Sequence, residues 1–109
     1  IVMLPGQWHP EHHHKLKEET FLVVHGDITI DLEGERRECG PGDLLVVERG
    51  MRHSFRTRQG LIMEEISSTH RKGDSYYSDA AIAPVDERKT LISYWLGAVE
   101  EPAGKRAAA

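Results

Sequence analysis

A chain of 109 residues can build one domain with a single core, burying roughly 60–65% of the surface its unfolded form exposes, and is too short for two. Its 14 basic and 18 acidic residues give a net charge of −4, with the signs mixed and no basic block, which excludes nucleic acid and anionic membranes as expected partners. The lone Cys39 cannot close an internal disulfide, and no apolar run approaches the ~20 residues of a membrane span, so a reducing cytoplasm is the expected setting.

Residues 1–4 read as a strand from the first position, without an initiator Met or a signal-peptide pattern, so the chain is expected to be a piece of something longer. Pro5-Gly6-Gln7 is a turn signal that leads through Trp8-His9-Pro10 into a triple His. On an extended strand His12 and His14 project to one face and His13 to the other, so two imidazoles converge. The cluster lies inside strand-like sequence and is not terminal, which sets it apart from an affinity tag. Phe21, Val23 and His25 alternate with Thr20, Leu22 and Val24 as a second half-buried strand, and a turn before it could bring Glu19 beside the two His. Two His and a carboxylate suit a borderline divalent ion better than Ca²⁺ or Mg²⁺, which prefer oxygen ligands.

Further on, Ile28, Ile30 and Leu32 alternate with polar residues in a one-sided strand closed by a Gly34-Glu35 turn. Leu44–Val47 reads as a buried run. Gly50 then turns the chain into a strand over 53–57 that opens on His53, a further ligand candidate, and after the turn 58–60 comes the return strand Leu61–Ser67. Short strands at intervals of about 8–12 residues indicate an all-β sandwich or barrel rather than a βαβ fold. The polar stretch 69–79 reads as loop, rich in groups that bond hydroxyls. Residues 90–96 read as a strand, with an amphipathic helix as the alternative, and Tyr94 and Trp95 as core or interface. The domain is placed at 1–101, and 102–109 is set aside as disordered tail or tag scar.

Gly6, His12, His14, Glu19 and Gly26, with five, one, four and six residues between successive members, match the first motif of the cupin family position for position. Gly42, Glu48, Gly50 and His53 resemble the second, with Glu48 where the family has Pro and Thr57 where it usually has Asn. The resemblance spans residues 1–67 and implies a small jelly-roll β-barrel with a metal ion inside, near one mouth. Glu64-Glu65-Ile66-Ser67-Ser68-Thr69-His70, with Asp74-Ser75-Tyr76-Tyr77 and Asp79, narrows it. Together with Pro5-Gly6-Gln7, Lys17 and Glu18-Glu19-Thr20-Phe21, this stretch is similar to the D-lyxose ketol-isomerase branch, and equally to cupin domains attached to N-acetylneuraminate-type synthases. In the isomerase branch the metal ligands fall on His12, His14, Glu19 and His53, and the residues placed for proton chemistry on Lys17 and Glu65. Those isomerases carry extra helical segments that this chain lacks.

Three neutral imidazoles and one carboxylate leave a divalent ion with a single net positive charge and, if octahedral, two open positions, which a sugar's adjacent carbonyl and hydroxyl fit. Mn is the expected ion, with Fe, Co, Ni or Zn as alternatives. Glu65 is then the base that shuttles a proton between C1 and C2, and Lys17 donates to the oxygen that gains charge. Each has a plainer reading, since Glu64 and Glu65 lie on opposite faces of one strand and parity does not choose between them, and Lys17 sits among solvated charges. His9, His13, His25 and His70 read as surface or core residues, and Cys39 lacks a nucleophile's partners. The expected activity is metal-dependent aldose–ketose isomerisation. The alternatives are a non-catalytic sugar- or metal-binding module of a sugar-acid biosynthetic enzyme and, less favoured, an iron dioxygenase. The expected partners are a small sugar or sugar acid and a second copy of the chain, in a homodimer paired through residues 1–4 and Tyr94-Trp95.

Overall fold

The computed structural model describes residues 1–82 and the backbone of a short strand, Tyr94–Trp95. Among the described residues there are ten strands and no helix: β1 (Val2–Met3), β2 (Gln7–His13), β3 (Glu19–Gly26), β4 (Ile28–Leu32), β5 (Glu35–Cys39), β6 (Leu44–Val47), β7 (His53–Arg56), β8 (Leu61–Ser67), β9 (Tyr76–Tyr77) and β10 (Tyr94–Trp95). They form two antiparallel sheets, one ordered β1-β8-β3-β6 and the other β10-β2-β7-β4-β5, with β9 also paired to β2. This is the all-β jelly-roll arrangement expected. No helix of the described chain is long and apolar enough to cross a membrane.

The core is the sum of inward parities. Phe21 and Val23 on β3, Ile28, Ile30 and Leu32 on β4, Leu45 and Val47 on β6, and Leu61 and Met63 on β8 close on one another between the sheets. Leu44–Val47 is not the buried run its composition suggests, because Leu44 and Val46 point to solvent. The turn between β4 and β5 falls on Glu33-Gly34 rather than Gly34-Glu35: Leu32 pairs with Glu35, leaving a two-residue loop with φ of 49° and 80°, the left-handed pair of a type I′ hairpin. β5 itself, Glu35-Arg-Arg-Glu-Cys, escapes pattern reading because it is a charged edge strand with no buried face. β9 is a two-residue strand inside the stretch read as loop, and of 90–96 only Tyr94–Trp95 is described. The tail 102–109 lies outside the described residues.

Two departures from the cupin spacing have local explanations. Thr57 is fully buried, and its hydroxyl donates to Asp27 (3.2 Å) and accepts from the Gly60 amide (3.0 Å), so it organises the β7–β8 turn. Glu48 is exposed and its carbonyl accepts from the Met51 amide at 3.1 Å, a turn that does not require Pro.

Candidate metal centre

β2 and β7 lie side by side with His12 opposite His53, which sets their rings 4.2 Å apart between centroids. His14, just past the end of β2, keeps the inward parity and stands 4.9 Å from His12 and 5.5 Å from His53, centroid to centroid. Glu19 opens β3 and sends Oε1 to within 2.9 Å of His14 Nε2 and 3.5 Å of His53 Nε2. All four side chains are buried, His53 completely. Ligand atoms of the three imidazoles lie within 4.8 Å of one another. The structure thus brings together the four residues expected as ligands.

Each ring is oriented from behind by a backbone carbonyl. His12 Nδ1 donates to Pro10 O (3.0 Å), His14 Nδ1 to Asp74 O (2.8 Å) and His53 Nδ1 to Met51 O (3.0 Å). A carbonyl can only accept, so the proton sits on Nδ1 in every case and Nε2 turns its lone pair inward. Among the described residues, His14 Nε2, His53 Nε2 and Glu19 Oε1 are buried without a hydrogen-bond partner, so lone pairs face lone pairs at the centre of the cluster. Such an arrangement calls for a cation. Three imidazoles and a carboxylate fit a divalent transition ion such as Mn, Fe, Co, Ni or Zn, and fit Ca²⁺ or Mg²⁺ poorly. Charge states agree: burial, then the neighbouring His53, His9 and His14, hold His12 well below the ordinary imidazole range, so its ring stays neutral. Burial alone would raise the Glu19 carboxyl, and positive charge facing it from the side of His14 and His53, the place an ion would fill, holds it below the carboxylate range.

Lys17 is buried, and its Nζ lies 3.3 Å from Glu19 Oε2 and 3.5 Å from Glu65 Oε2. Glu65 shares its parity with the buried Leu61 and Met63 and is held by the Ser67 hydroxyl, which donates to Oε2 at 2.9 Å. Glu64 takes the other face, beside exposed Ile62. Lys17 and Glu65 both line a cavity of about 420 Å³ that opens over the His cluster, with Met3, Phe21 and Phe55 on its apolar side.

Three contributors were not evident from sequence. His9 lines the same cavity, stacked on Phe55 and bonded through Nε2 to the Tyr77 hydroxyl at 2.9 Å. Simple parity puts His9 and His12 on opposite faces, but a register shift lies between them, where Pro10 interrupts the ladder, and the signal for it was Pro10 itself. Tyr77 stacks on His12 at 4.9 Å. Asp74 is the third: its carboxylate accepts from the amides of Lys15 (3.0 Å), Leu16 (3.1 Å) and Lys17 (3.2 Å), fixing the loop that carries His14 and Lys17. Those bonds, opposed by burial, hold the Asp74 carboxyl below its ordinary range. Replacing Asp74 with Ala is expected to destabilise the protein by about 3 kcal/mol through loss of charge-assisted bonds, and Asp74→Asn, which keeps one acceptor, by less; urea unfolding checks both. Ion affinity should fall about tenfold alongside, as happens when groups that orient ligands are lost.

Comparison with known proteins agrees with this fold. A 55-residue stretch, 50% of this chain, is 38% identical to polyketide synthase CurC of Streptomyces cyaneus and spans only 36% of that protein's length. Among solved structures, KdgF from a Halomonas species superposes with a TM-score of 0.59 at 26% identity, covering 64% of each chain. A putative sugar phosphate isomerase from Acidithiobacillus ferrooxidans superposes with a TM-score of 0.54 at 24% identity, over 63% of this chain and 47% of the other. The model of the Cupin domain matches residues 1–67, more than half the sequence and the part that carries every ligand candidate, so the chain belongs to the cupin family.

Proposed function

We propose that the domain is a metal-dependent isomerase that moves a proton between adjacent carbons of a small hydroxy-carbonyl compound, with a free sugar of the D-lyxose type as first substrate. The observation that carries this reading is the placement of Lys17, a buried ammonium bracketed by Glu19 of the metal cluster and by Glu65 at the cavity wall. When bound, the ion would supply Lewis acidity to the carbonyl of its substrate. Glu65 takes the proton from C2 of an aldose and returns it to C1, while the hydroxyl proton passes from O2 to O1, so no oxidant or reductant is needed. Lys17 faces the oxygen that gains charge and donates to it, and a positioned acid–base group of this kind contributes roughly 10²–10⁴ in rate. The His cluster and Lys17 are buried while Glu65 reaches solvent at the cavity wall, so the proton it carries can exchange with water. We place the protein in the cytoplasm, where its free Cys39 needs no partner; burial and then Asp43 push that thiol up, away from reactive thiolate.

A second reading is favoured by the apolar side of the cavity. Met3, Phe21 and Phe55 give a sugar's hydroxyls nothing to bond, and they would suit a carbonyl compound with an apolar body. The likeness to polyketide synthase CurC supports the same class.

Both are tested by incubating Mn²⁺-loaded protein in D₂O with D-lyxose, D-mannose, the matching ketoses and an aromatic β-diketone, then weighing each compound by mass spectrometry. Deuterium entering a sugar with the parent protein, at a rate at least 10²-fold lower with Glu65→Gln, is the result expected of the isomerase. Exchange confined to the diketone, at a rate above that in Mn²⁺ buffer without protein and lowered in Glu65→Gln, selects the second reading. If no compound exchanges while one still perturbs the metal's spectrum, the domain is a binding module and not a catalyst.

A further inference from the structure

Glu65 lines the cavity from β8, in one sheet, and a second polar pair lines it from the other: His9 on β2 and Tyr77 on β9. The two are joined, His9 Nε2 to the Tyr77 hydroxyl at 2.9 Å. That bond is not what docks β9. Tyr77 stands opposite His12 in the ladder and Tyr76 opposite His13, and Ser78 bonds Glu11 through both its amide (3.1 Å) and its hydroxyl (2.7 Å). From its register position at His12 the Tyr77 side chain runs back along β2, stacked on the His12 ring, to meet His9. The wall around the pair is apolar: His9 stacks on Phe55 at 5.3 Å, and Phe55 meets Phe21 edge to face at 6.0 Å. A hydroxyl and an imidazole in such surroundings are costly unless bonded, and Phe with Leu would fill the same space without that cost. What sets His9 and Tyr77 apart from an apolar pair is the ability to bond a polar atom inside the cavity.

We infer that His9 and Tyr77 set the specificity of this site by bonding a hydroxyl of the ligand remote from the carbons that react. The inference rests on the reading of the cavity as the site of a hydroxy-carbonyl compound. The pair offers donor and acceptor together, which suits a hydroxyl, itself both, more than a carboxylate, which only accepts, or an ammonium, which only donates. The cavity of about 420 Å³ is in the range of roughly 300–1,000 Å³ that encloses whole small molecules. Facing sheets lie about 10 Å apart, so a ligand with its reacting C–H at Glu65 meets His9 and Tyr77 with atoms several bonds further along. The terminal hydroxyl of an open-chain sugar satisfies this, and so does the phenol hydroxyl of an aryl diketone whose ring packs on Phe55.

Affinity tests the inference apart from catalysis. The full chain loaded with Co²⁺ is titrated with D-lyxose and its terminally deoxygenated analogue, and with para-hydroxybenzoylacetone and benzoylacetone, each followed through the metal's visible spectrum. The parent is expected to bind the hydroxyl-bearing member of one pair about 10-fold more tightly than its analogue, and the pair that discriminates identifies the source of the hydroxyl. Tyr77→Phe, which keeps the ring over His12, and His9→Leu should each bring that ratio to about one, with bound metal and affinity for the analogue unchanged. A merely structural role would weaken both members alike and leave the ratio standing. A parent that discriminates in neither pair, by binding both members equally or by binding neither, overturns the inference, as does a ratio that survives in either variant. Failure of the isomerase reading shows differently, as absence of deuterium exchange with the ratio intact.

Discussion

Replacing His53 with Ala is expected to lower affinity for a divalent ion by more than 100-fold, beyond the range seen when only a group behind a ligand is lost. His53 is completely buried, its Nδ1 is committed to Met51 O, and its Nε2 has no hydrogen-bond partner among the described residues, leaving it for the ion it would share with His12, His14 and Glu19. Glu19→Gln should do nearly as much while conserving volume, since it removes the one formal negative charge among the ligands. Elemental analysis after desalting checks both, and full metal occupancy in either variant would mean that the ion lies elsewhere. Chelation of the parent should also cost stability, because an ion at a thousand times its Kd contributes about 4 kcal/mol. At 4 °C or so per kcal/mol, that is a fall in melting temperature of about 15 °C. The same chelator should lower the melting of His53→Ala by no more than about 6 °C, since a 100-fold weaker site keeps at most about 1.4 kcal/mol of that stabilisation.

Gly26→Ala is the second large effect. Gly26 ends β3 at φ +88°, and a Cβ there would sit 1.9 Å from the Gly60 carbonyl oxygen and 3.1 Å from the Leu61 Cα. Both neighbours are backbone, so no side chain can swing aside, and the Gly60 carbonyl is already the acceptor for the Asp27 amide at 3.1 Å. The substitution adds left-handed strain to a forced separation of β3 from the β7–β8 turn, and a cost of about 4 kcal/mol is expected, a large share of a small domain's stability. Gly34→Ala is the control: φ is +80° there, but nothing lies within 4 Å, so strain acts alone at roughly 1 kcal/mol. Equal losses in urea unfolding would refute the steric argument.

How far the sequence could be read follows from where each side chain's environment is set. His12 and His14 were legible because both keep one parity, on β2 and just past its end, and Glu19 and His53 because each opens a strand, where one turn fixes the approach. Glu65 could not be separated from Glu64 by pattern, since β8 is apolar on both faces: Leu61 and Met63 look into the core while Ile62 and Ile66 look into solvent. The same two-sided hydrophobicity disguised Leu44–Val47 as a buried run. His9 was hidden by the register shift before His12. Asp74 was hidden because its partners, Lys15 to Lys17, are local to each other and remote from it.

That remoteness has a kinetic side. The chain reaches His53, the last of the four ligands, some twenty residues before it reaches Asp74, whose carbonyl aims the His14 ring and whose carboxylate grips the loop beneath it. At ribosomal speeds of about 5–20 residues per second, this leaves an interval of roughly 1–4 s in which every metal-binding group has been made and one of them is still free to turn. Arrival of Asp74 would fix that ring, so any ion the cluster holds would meet its final geometry only after this point.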